Sequence, residues 1–345
     1  MAKKEESINY NALITELKAK GPQRLYLLWG PEDYLREQFF AALKKACLPE
    51  GEDDFSYKRM NGPDIDPLEL RNAVDSVPFM SERTLVEIRG ADINKIKEHQ
   101  ADTVAALLAD IPDYCTVALV QDSSFEPDGR LKLVKSIKKS GREIKFTAQQ
   151  ESSLINWVQK RFAAAGKSID PDAARHLIFV SGSLMNRLIP EIEKVASYAK
   201  GDRVTKSDIE AVANHIPEAR TFDMADCLAA RDNDGAARIL AELLADKNNA
   251  PIMLLATVGM QMRRLYTARL AQDKGLGRGF VEDNSGLKFG FLVDRLMTSA
   301  RGFSLPRLKR AVEICCETDY AMKSSGADDA ALLKDAILRI TAGET

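Results

Sequence analysis

The chain has 345 residues and a formal net charge of −2; 45% of its residues are hydrophobic and 29% charged. That length supports two or three domains with a sizeable core, and the charge balance excludes a globally basic nucleic-acid binder and an acidic tail. Any contact with nucleic acid therefore has to come from a local patch or from partner subunits.

The opening MAKKEESINYNALITEL carries no apolar run of signal-peptide length. Later apolar runs are broken by charge well before the ~18 residues of a membrane span, so a cytoplasmic protein is expected. INYNALITELKAK reads as a helix closing before Gly21-Pro22. LYLLWG (25–30) reads as a buried strand, followed by a turn at Gly30-Pro31 and a helix over YLREQFFAALKKACL. DFSYKRMNG is a second strand, and PLELRNAVDSVP has helical spacing with Leu68, Leu70 and Val74 on one side. TLVEIRG is a strand, KEHQADTVAALLADI a helix, YCTVALVQD an apolar strand, and REIKFTA closes the set. Strands alternating with helices imply right-handed crossovers and a mostly parallel sheet covered on both faces.

After about Ala148 the strands stop. SLINWVQKRFAAAG is a helix ended by Gly166, and Asp170-Pro171 supplies an N-cap and an N1 proline for the next. LIPEIEKVASYAKG makes a third, and Thr205 caps a fourth through Thr205-Lys206-Ser207-Asp208. From about Pro217 the pattern is helical again: FDMADCLAARD, GAARILAELLAD, APIMLLATVGMQMRRLYTARLAQDKG, FLVDRLMTSARG, SLPRLKRAVEICCETDYAMKSSG and DDAALLKDAILRITAG. The layout is thus an α/β domain with a parallel sheet, a small all-α domain and a larger all-α C-terminal domain; an α/β domain that begins with a strand, glycine turn and helix and is followed by a small helical lid is the AAA+ arrangement. The expected boundaries are 1–148, 149–216 and 217–345.

Strand, glycine turn, helix is the setting of a phosphate-binding P-loop. With G-x-x-x-x-G-K-[ST] set on Gly30, the second glycine is replaced by Leu35, the lysine by Arg36 and the hydroxyl residue by Glu37. A working site needs the lysine on the phosphates and the hydroxyl on Mg²⁺, with an acidic pair ending an apolar strand. That strand is TLVEIRG, and Arg89 and Gly90 stand where the acids belong. Glu87, inside the strand, reads as a paired or surface carboxylate. A lid arginine aimed at the phosphates is also missing: its place falls on Met185, with Arg187 displaced by two. Three independent parts are degraded together, so no catalytic residue, cofactor or metal is expected.

Other chemistry finds no better support. There is no G-x-S-x-G elbow and no H-E-x-x-H. His99, His176 and His215 lie far apart in sequence, and Cys47, Cys115, Cys227, Cys315 and Cys316 form no C-x-x-C; the cysteines read as buried thiols in a reducing compartment. The Met253–Met262 run reads as core or helix–helix packing. EPDGRLKLVKSIKKSGREIK carries seven Lys/Arg against three Asp/Glu, with Lys132, Lys135, Lys138 and Lys139 at helical spacing. Those lysines, like Arg263, Arg264, Arg307, Lys309 and Arg310 near the C-terminus, have two readings: a solvated helix face, or phosphate and subunit contacts.

The order and spacing of these segments resemble the family of delta subunits of bacterial DNA polymerase III, over essentially the whole chain. LYLLWGPEDYLREQ, SVPFMSERTLVEIRGAD and GSLMNRLIPEIEKVASYAKGDRVTKSDIEAV carry the resemblance, and the collar segments FDMADCLAARDNDGAARILAELL, PIMLLATVGMQMRRLY and ARGFSLPRLKRAVEICCETDYAMKSSG extend it. The resemblance implies an α/β N-terminal RecA-like AAA+ domain, a small all-α lid and an all-α C-terminal collar, in a clamp-loader subunit that binds and opens the sliding clamp (the beta subunit) without hydrolysing ATP. It also implies gamma/tau and delta-prime subunits as partners, primed DNA inside the assembly, and polymerase activity belonging to the whole complex. The clamp-gripping element maps onto Val77, Pro78, Phe79 and Met80, where the family often has leucine in place of Pro78. From the residues alone VPFM is an apolar run at a helix end between polar flanks, which fits either an anchor for a partner's pocket or a wedge folded into its own core. Two other readings stand beside this one: an AAA+ ATPase with an unusual nucleotide site, and an assembly scaffold unrelated to clamps.

Overall fold

A computed structural model describes residues 9–49, 56–79, 81–287 and 289–343, the Glu98 side chain excepted. The chain divides into two compact units: residues 1–149 with 183–189, and residues 150–182 with 190–345.

In the first unit α1 (Tyr10–Lys20) precedes a regular alternation. It runs β1 (Leu25–Trp29), α2 (Asp33–Cys47), β2 (Tyr57–Asn61), α3 (Pro67–Val74), β3 (Thr84–Arg89), α4 (Glu98–Ala109), β4 (Cys115–Val120), α5 (Lys132–Ser140) and β5 (Arg142–Lys145). The five strands are parallel, in the order β2-β3-β4-β1-β5, with Leu25 level with Val117 and Leu27 level with Glu143. β1 and β4 are buried along their whole length, because helices cover both faces; this is why they read as unbroken apolar runs. The period of two divides β1 between the faces. Leu25, Leu27 and Trp29 join one cluster with Leu70, Val104, Leu133 and Ile137 from α3, α4 and α5. Tyr26 meets Phe39 of α2 edge-on, and Phe39 packs on Phe146.

The second unit holds α6 (Glu151–Ala164), α7 (Pro171–Ser181), most of α8 (Met185–Tyr198) and α9 (Lys206–Val212). These helices carry a feature the sequence reading lacked: a two-residue parallel pairing of β6 (Ser168–Ile169) with β7 (Arg203–Val204), too short to show a period. Thr205 caps α9 in a complete capping box with Asp208. Asp170 stands at the N-cap of α7 but makes no side-chain cap bond, because its carboxylate is taken by Arg203.

The remaining helices are α10 (Pro217–Ala229), α11 (Asn233–Ala245), α12 (Pro251–Asp273), α13 (Gly277–Ser285), α14 (Gly290–Ala300), α15 (Leu305–Ser324) and α16 (Asp329–Ala342). α13 was absent from the expected pattern, since Gly277, Gly279, Asp283 and Asn284 are poor helix formers. Two expectations need correction. Of the three methionines in the Met253–Met262 run, Met262 is core, whereas Met253 and Met260 face solvent. Among the cysteines, Cys47, Cys115 and Cys315 are buried and their thiols are pushed up by burial, to about 11, 12 and 12. Cys227 is half-buried and Cys316 exposed, because neighbours on a helix point in different directions.

α12 contains a buried polar defect. Gln261 is 1% exposed, and neither end of its amide has a hydrogen-bond partner among the described residues. Gln261→Met, which keeps the volume and removes the amide, is expected to stabilise the protein by about 1–2 kcal/mol in urea unfolding. A lower midpoint would show that the amide is satisfied.

Candidate functional site

The site of interest lies where β1 ends. Connections leave β1 and β4 in opposite directions, and in open α/β sheets the crevice at such a switch point is where ligands bind. Gly30 turns the chain there with φ +115°. A P-loop would stay open for six residues past its first glycine, but α2 begins at Asp33, so Leu35, Arg36 and Glu37 are already helical.

Both charged substitutions have partners. Arg36 is 6% exposed; its Nη1 donates to the Gly30 carbonyl at 2.8 Å and its Nη2 pairs with Asp33 Oδ1 at 2.6 Å. The guanidinium folds back over the turn and occupies its mouth. Glu37 accepts both terminal nitrogens of Arg89, each at 2.8 Å. In a working site the residues at these two positions would reach toward one Mg²⁺; here they carry opposite charge and bind each other directly. The Glu37 and Glu87 carboxylates hold the Arg89 guanidinium above the usual arginine range. Glu87 is 2% exposed and paired with Arg59 at 3.1 Å, with Arg89 and with the Tyr57 hydroxyl.

Sequence reasoning missed Glu32. It has no exposed surface, and its two carboxylate oxygens accept the Met185 N–H at 3.2 and 3.3 Å. Met185 opens α8 in place of the absent lid arginine, so the amide of a helix N-terminus meets an internal carboxylate rather than a phosphate. Burial, with Asp33 nearby, pushes the Glu32 carboxyl up to about 7. Nothing local in the sequence marks this acid as buried. Two further polar groups sit at the strand ends, buried and without partners among the described residues: Gln121 Nε2 after β4 and Thr147 Oγ1 after β5.

The Glu32 shift has a definite sign. Its folded-state value lies above the ordinary 4.5, so the native state holds the proton more tightly. The resulting stability is fully present below about pH 4.5 and lost as pH rises to about 7. Glu32→Gln keeps an acceptor for the Met185 N–H. It is expected to flatten this slope and to be more stable than wild type at pH 8, by at most on the order of 3 kcal/mol. Parallel slopes for the two proteins between pH 5 and 8 would contradict it.

The second region is the connection from α3 to β3. α3 stops at Val74, and Asp75–Phe79 is not helical. Val77 is 69% exposed and Phe79 75% exposed, while Pro78 is half-buried. The base is tied down: Thr84 Oγ1 donates to the Ser76 carbonyl at 2.9 Å and the Tyr114 hydroxyl to the Asp75 carbonyl at 3.4 Å. Met80 lies outside the described residues.

α5 buries Leu133, Val134 and Ile137 and turns Lys132, Lys135, Lys138 and Lys139 outward. Lys132 pairs with Asp102 at 2.8 Å and Lys138 with Glu143 at 3.0 Å. Two histidines that are distant in sequence, His176 and His215, share the Glu210 carboxylate. Among the described residues no three His, Cys, Asp or Glu side chains gather as metal ligands would, and no helix is long and apolar enough to cross a membrane.

The N-terminal region is a five-stranded parallel sheet with helices on both faces, RecA-like AAA+ in class; β1, beside the central β4, ends in a glycine turn filled by its own side chains, and a helix-rich region follows. The family model described as DNA polymerase III, delta subunit, matches residues 26–147, and that for the DNA polymerase III delta subunit, C-terminal domain, matches residues 218–340. Together they take in more than half of the chain, which belongs to the DNA polymerase III delta-subunit family. The DNA polymerase III subunit delta of Bacillus subtilis (strain 168) is 25% identical over 324 residues, covering 92% of each chain. The probable DNA polymerase III subunit delta of Aquifex aeolicus (strain VF5) is 23% identical over 327 residues, covering 91% of this chain and 90% of its own. The solved Bacillus subtilis DNA clamp loader delta protein shares the fold, with a TM-score of 0.54 and 22% identity over 96% of this chain and 99% of its own.

Proposed function

We propose that this delta subunit binds the sliding clamp and favours its open ring, for loading onto primed DNA, without hydrolysing ATP itself. The observation that carries the reading is the pinned loop tip, where Val77 and Phe79 present apolar surface to solvent beside Pro78. Exposed aromatic side chains on a fixed base are what a partner's pocket selects, since little ordering entropy is lost on docking. Opening follows if the tip binds the open ring more tightly than the closed one.

The filled phosphate loop supports a non-hydrolysing role, and it weighs against the ATPase reading. A nucleotide would have to displace Arg36 from Gly30 and break the Glu37–Arg89 pair, with no hydroxyl and no acid left to hold Mg²⁺. In this reading ATP bound by gamma/tau subunits controls access to the tip, delta-prime completes the ring, and residues 217–345 form the collar joining them. Residues 1–148 and 149–216 act as the AAA+ domain and its lid, Lys132, Lys135, Lys138 and Lys139 contact DNA or a neighbour, and the complex works in the cytoplasm.

The test is binding of the purified chain to the sliding clamp of its own organism, with and without ATP. Binding of equal strength in both conditions is expected. Absence of binding, or binding that needs ATP, would remove the direct clamp role or revive a nucleotide site.

A further inference from the structure

The turn between α10 and α11 contains the one non-glycine residue with positive φ among those described, Arg231 at φ 60°. Left-handed backbone is costly for a side chain with a Cβ, and glycine would adopt it freely. An arginine held there points to a use for its charge. Arg231 lines a cleft of about 600 Å³ with Asn233, with Ser304 at the N-cap of α15, and with Arg307 in its first turn.

The charges in this cleft are not balanced. Lys309, Arg310 and Glu313 also line it, but the two cations share Glu313 at 3.8 and 3.6 Å, and Arg310 has Glu317 at 2.6 Å. Arg307 has no carboxylate among the described residues. Its guanidinium lies on the Phe303 ring, 4.8 Å from the centroid, and Nη2 donates to the Leu228 carbonyl at 3.3 Å. Its Nε is buried without an acceptor, and Nη1 has no acceptor among the described residues. Arg231 likewise has no carboxylate partner there. Burial, and the charge of Arg231, hold the Arg307 guanidinium below the usual arginine range. Two like charges kept in one cleft, one on a strained backbone, repel unless an anion lies between them.

We propose that the cleft of Arg231 and Arg307 at the start of α15 binds a phosphate group. Guanidinium forks match tetrahedral phosphate oxygens, and the Asn233 amide adds a neutral donor. The group comes either from a nucleic-acid backbone or from a free phosphate or phosphomonoester; the chemistry of recognition is the same.

The experiment is calorimetric titration of the full chain with inorganic phosphate at constant ionic strength, on wild type, Arg231→Gly and Arg307→Met. At least tenfold weaker phosphate binding is expected in both variants. Arg231→Gly also relieves the backbone, so it is expected to melt higher than wild type in chloride buffer while losing the ligand. A purely structural arginine would give neither the higher melting temperature nor the loss. An oligothymidylate without terminal phosphate then separates the sources: competition with phosphate, or binding that needs Arg231, assigns the polymer backbone. Phosphate binding that needs Arg231 and resists the oligonucleotide assigns the free group. The site is overturned if neither probe binds in a manner that depends on Arg231.

Discussion

Phe79→Ala is expected to weaken binding to the sliding clamp by about 2 kcal/mol or more, roughly thirtyfold in Kd, with no change in melting temperature. The two halves of that statement have different origins. The affinity loss follows from removing an aromatic anchor, the residue class that dominates interface energetics. The unchanged stability follows from an exposure of 75%, which leaves little buried surface for truncation to remove. The pairing makes the result readable: a variant that loses both affinity and stability would mean that Phe79 is part of its own core. Val77→Ala, with a smaller side chain at 69% exposure, is expected to cost less. Pro78 acts differently, because it fixes φ between the two apolar residues and removes an N–H. The loop around it is not helical, as that chemistry requires. Replacing Pro78 with Leu is therefore expected to change affinity through the freedom of the unbound loop, an effect separate from any contact.

Much of the fold could be read from the sequence, and the reasons are local. β1 and β4 are unbroken apolar runs because both sheet faces are covered, and α5 alternates apolar and basic residues at helical spacing because one side only is covered. α13, β6 and β7 left no such signal. The candidate site was half legible. The losses at Leu35, Arg36, Glu37 and Arg89 are visible one by one, because a motif fixes what each should be. Their compensation is not visible. Glu37 and Arg89 come together only through the sheet, across 52 residues, and the burial of Glu32 depends on where α8 begins. Arg231 was missed for a related reason: a backbone angle and a missing counter-charge are properties of the fold, not of a pattern.

Gly30→Ala is expected to destabilise the protein by about 3 kcal/mol or more, the largest stability effect of any substitution considered. The strand, glycine turn and helix keep the frame of a phosphate loop with other side chains in it, and this glycine separates two explanations. In a working P-loop, glycines let backbone amides close on phosphate, so once the phosphate is gone the first glycine could drift. At Gly30 the constraint is internal. An added Cβ would lie 2.4 Å from the Phe146 carbonyl oxygen and 2.8 Å from its nitrogen, and φ +115° is closed to a side chain. The crowding is built from bonds that hold the end of β1 to the strand beside it. Phe146 N–H donates to the Trp29 carbonyl at 2.7 Å, and the Phe146 carbonyl accepts the Glu32 N–H at 3.1 Å. Backbone cannot yield as a flexible side chain can, so alanine would have to pry β1 from the residue that follows β5. Leu35 provides the contrast. It stands at the other glycine of the pattern, inside a helix and buried, where a side chain adds to the core. At each position the residue present is the one that packs: glycine where a Cβ would strike backbone, leucine where a side chain fills the core. Chemical denaturation of Gly30→Ala decides it. A loss below 1 kcal/mol would mean that the turn relaxes easily and that Gly30 persists for some other reason.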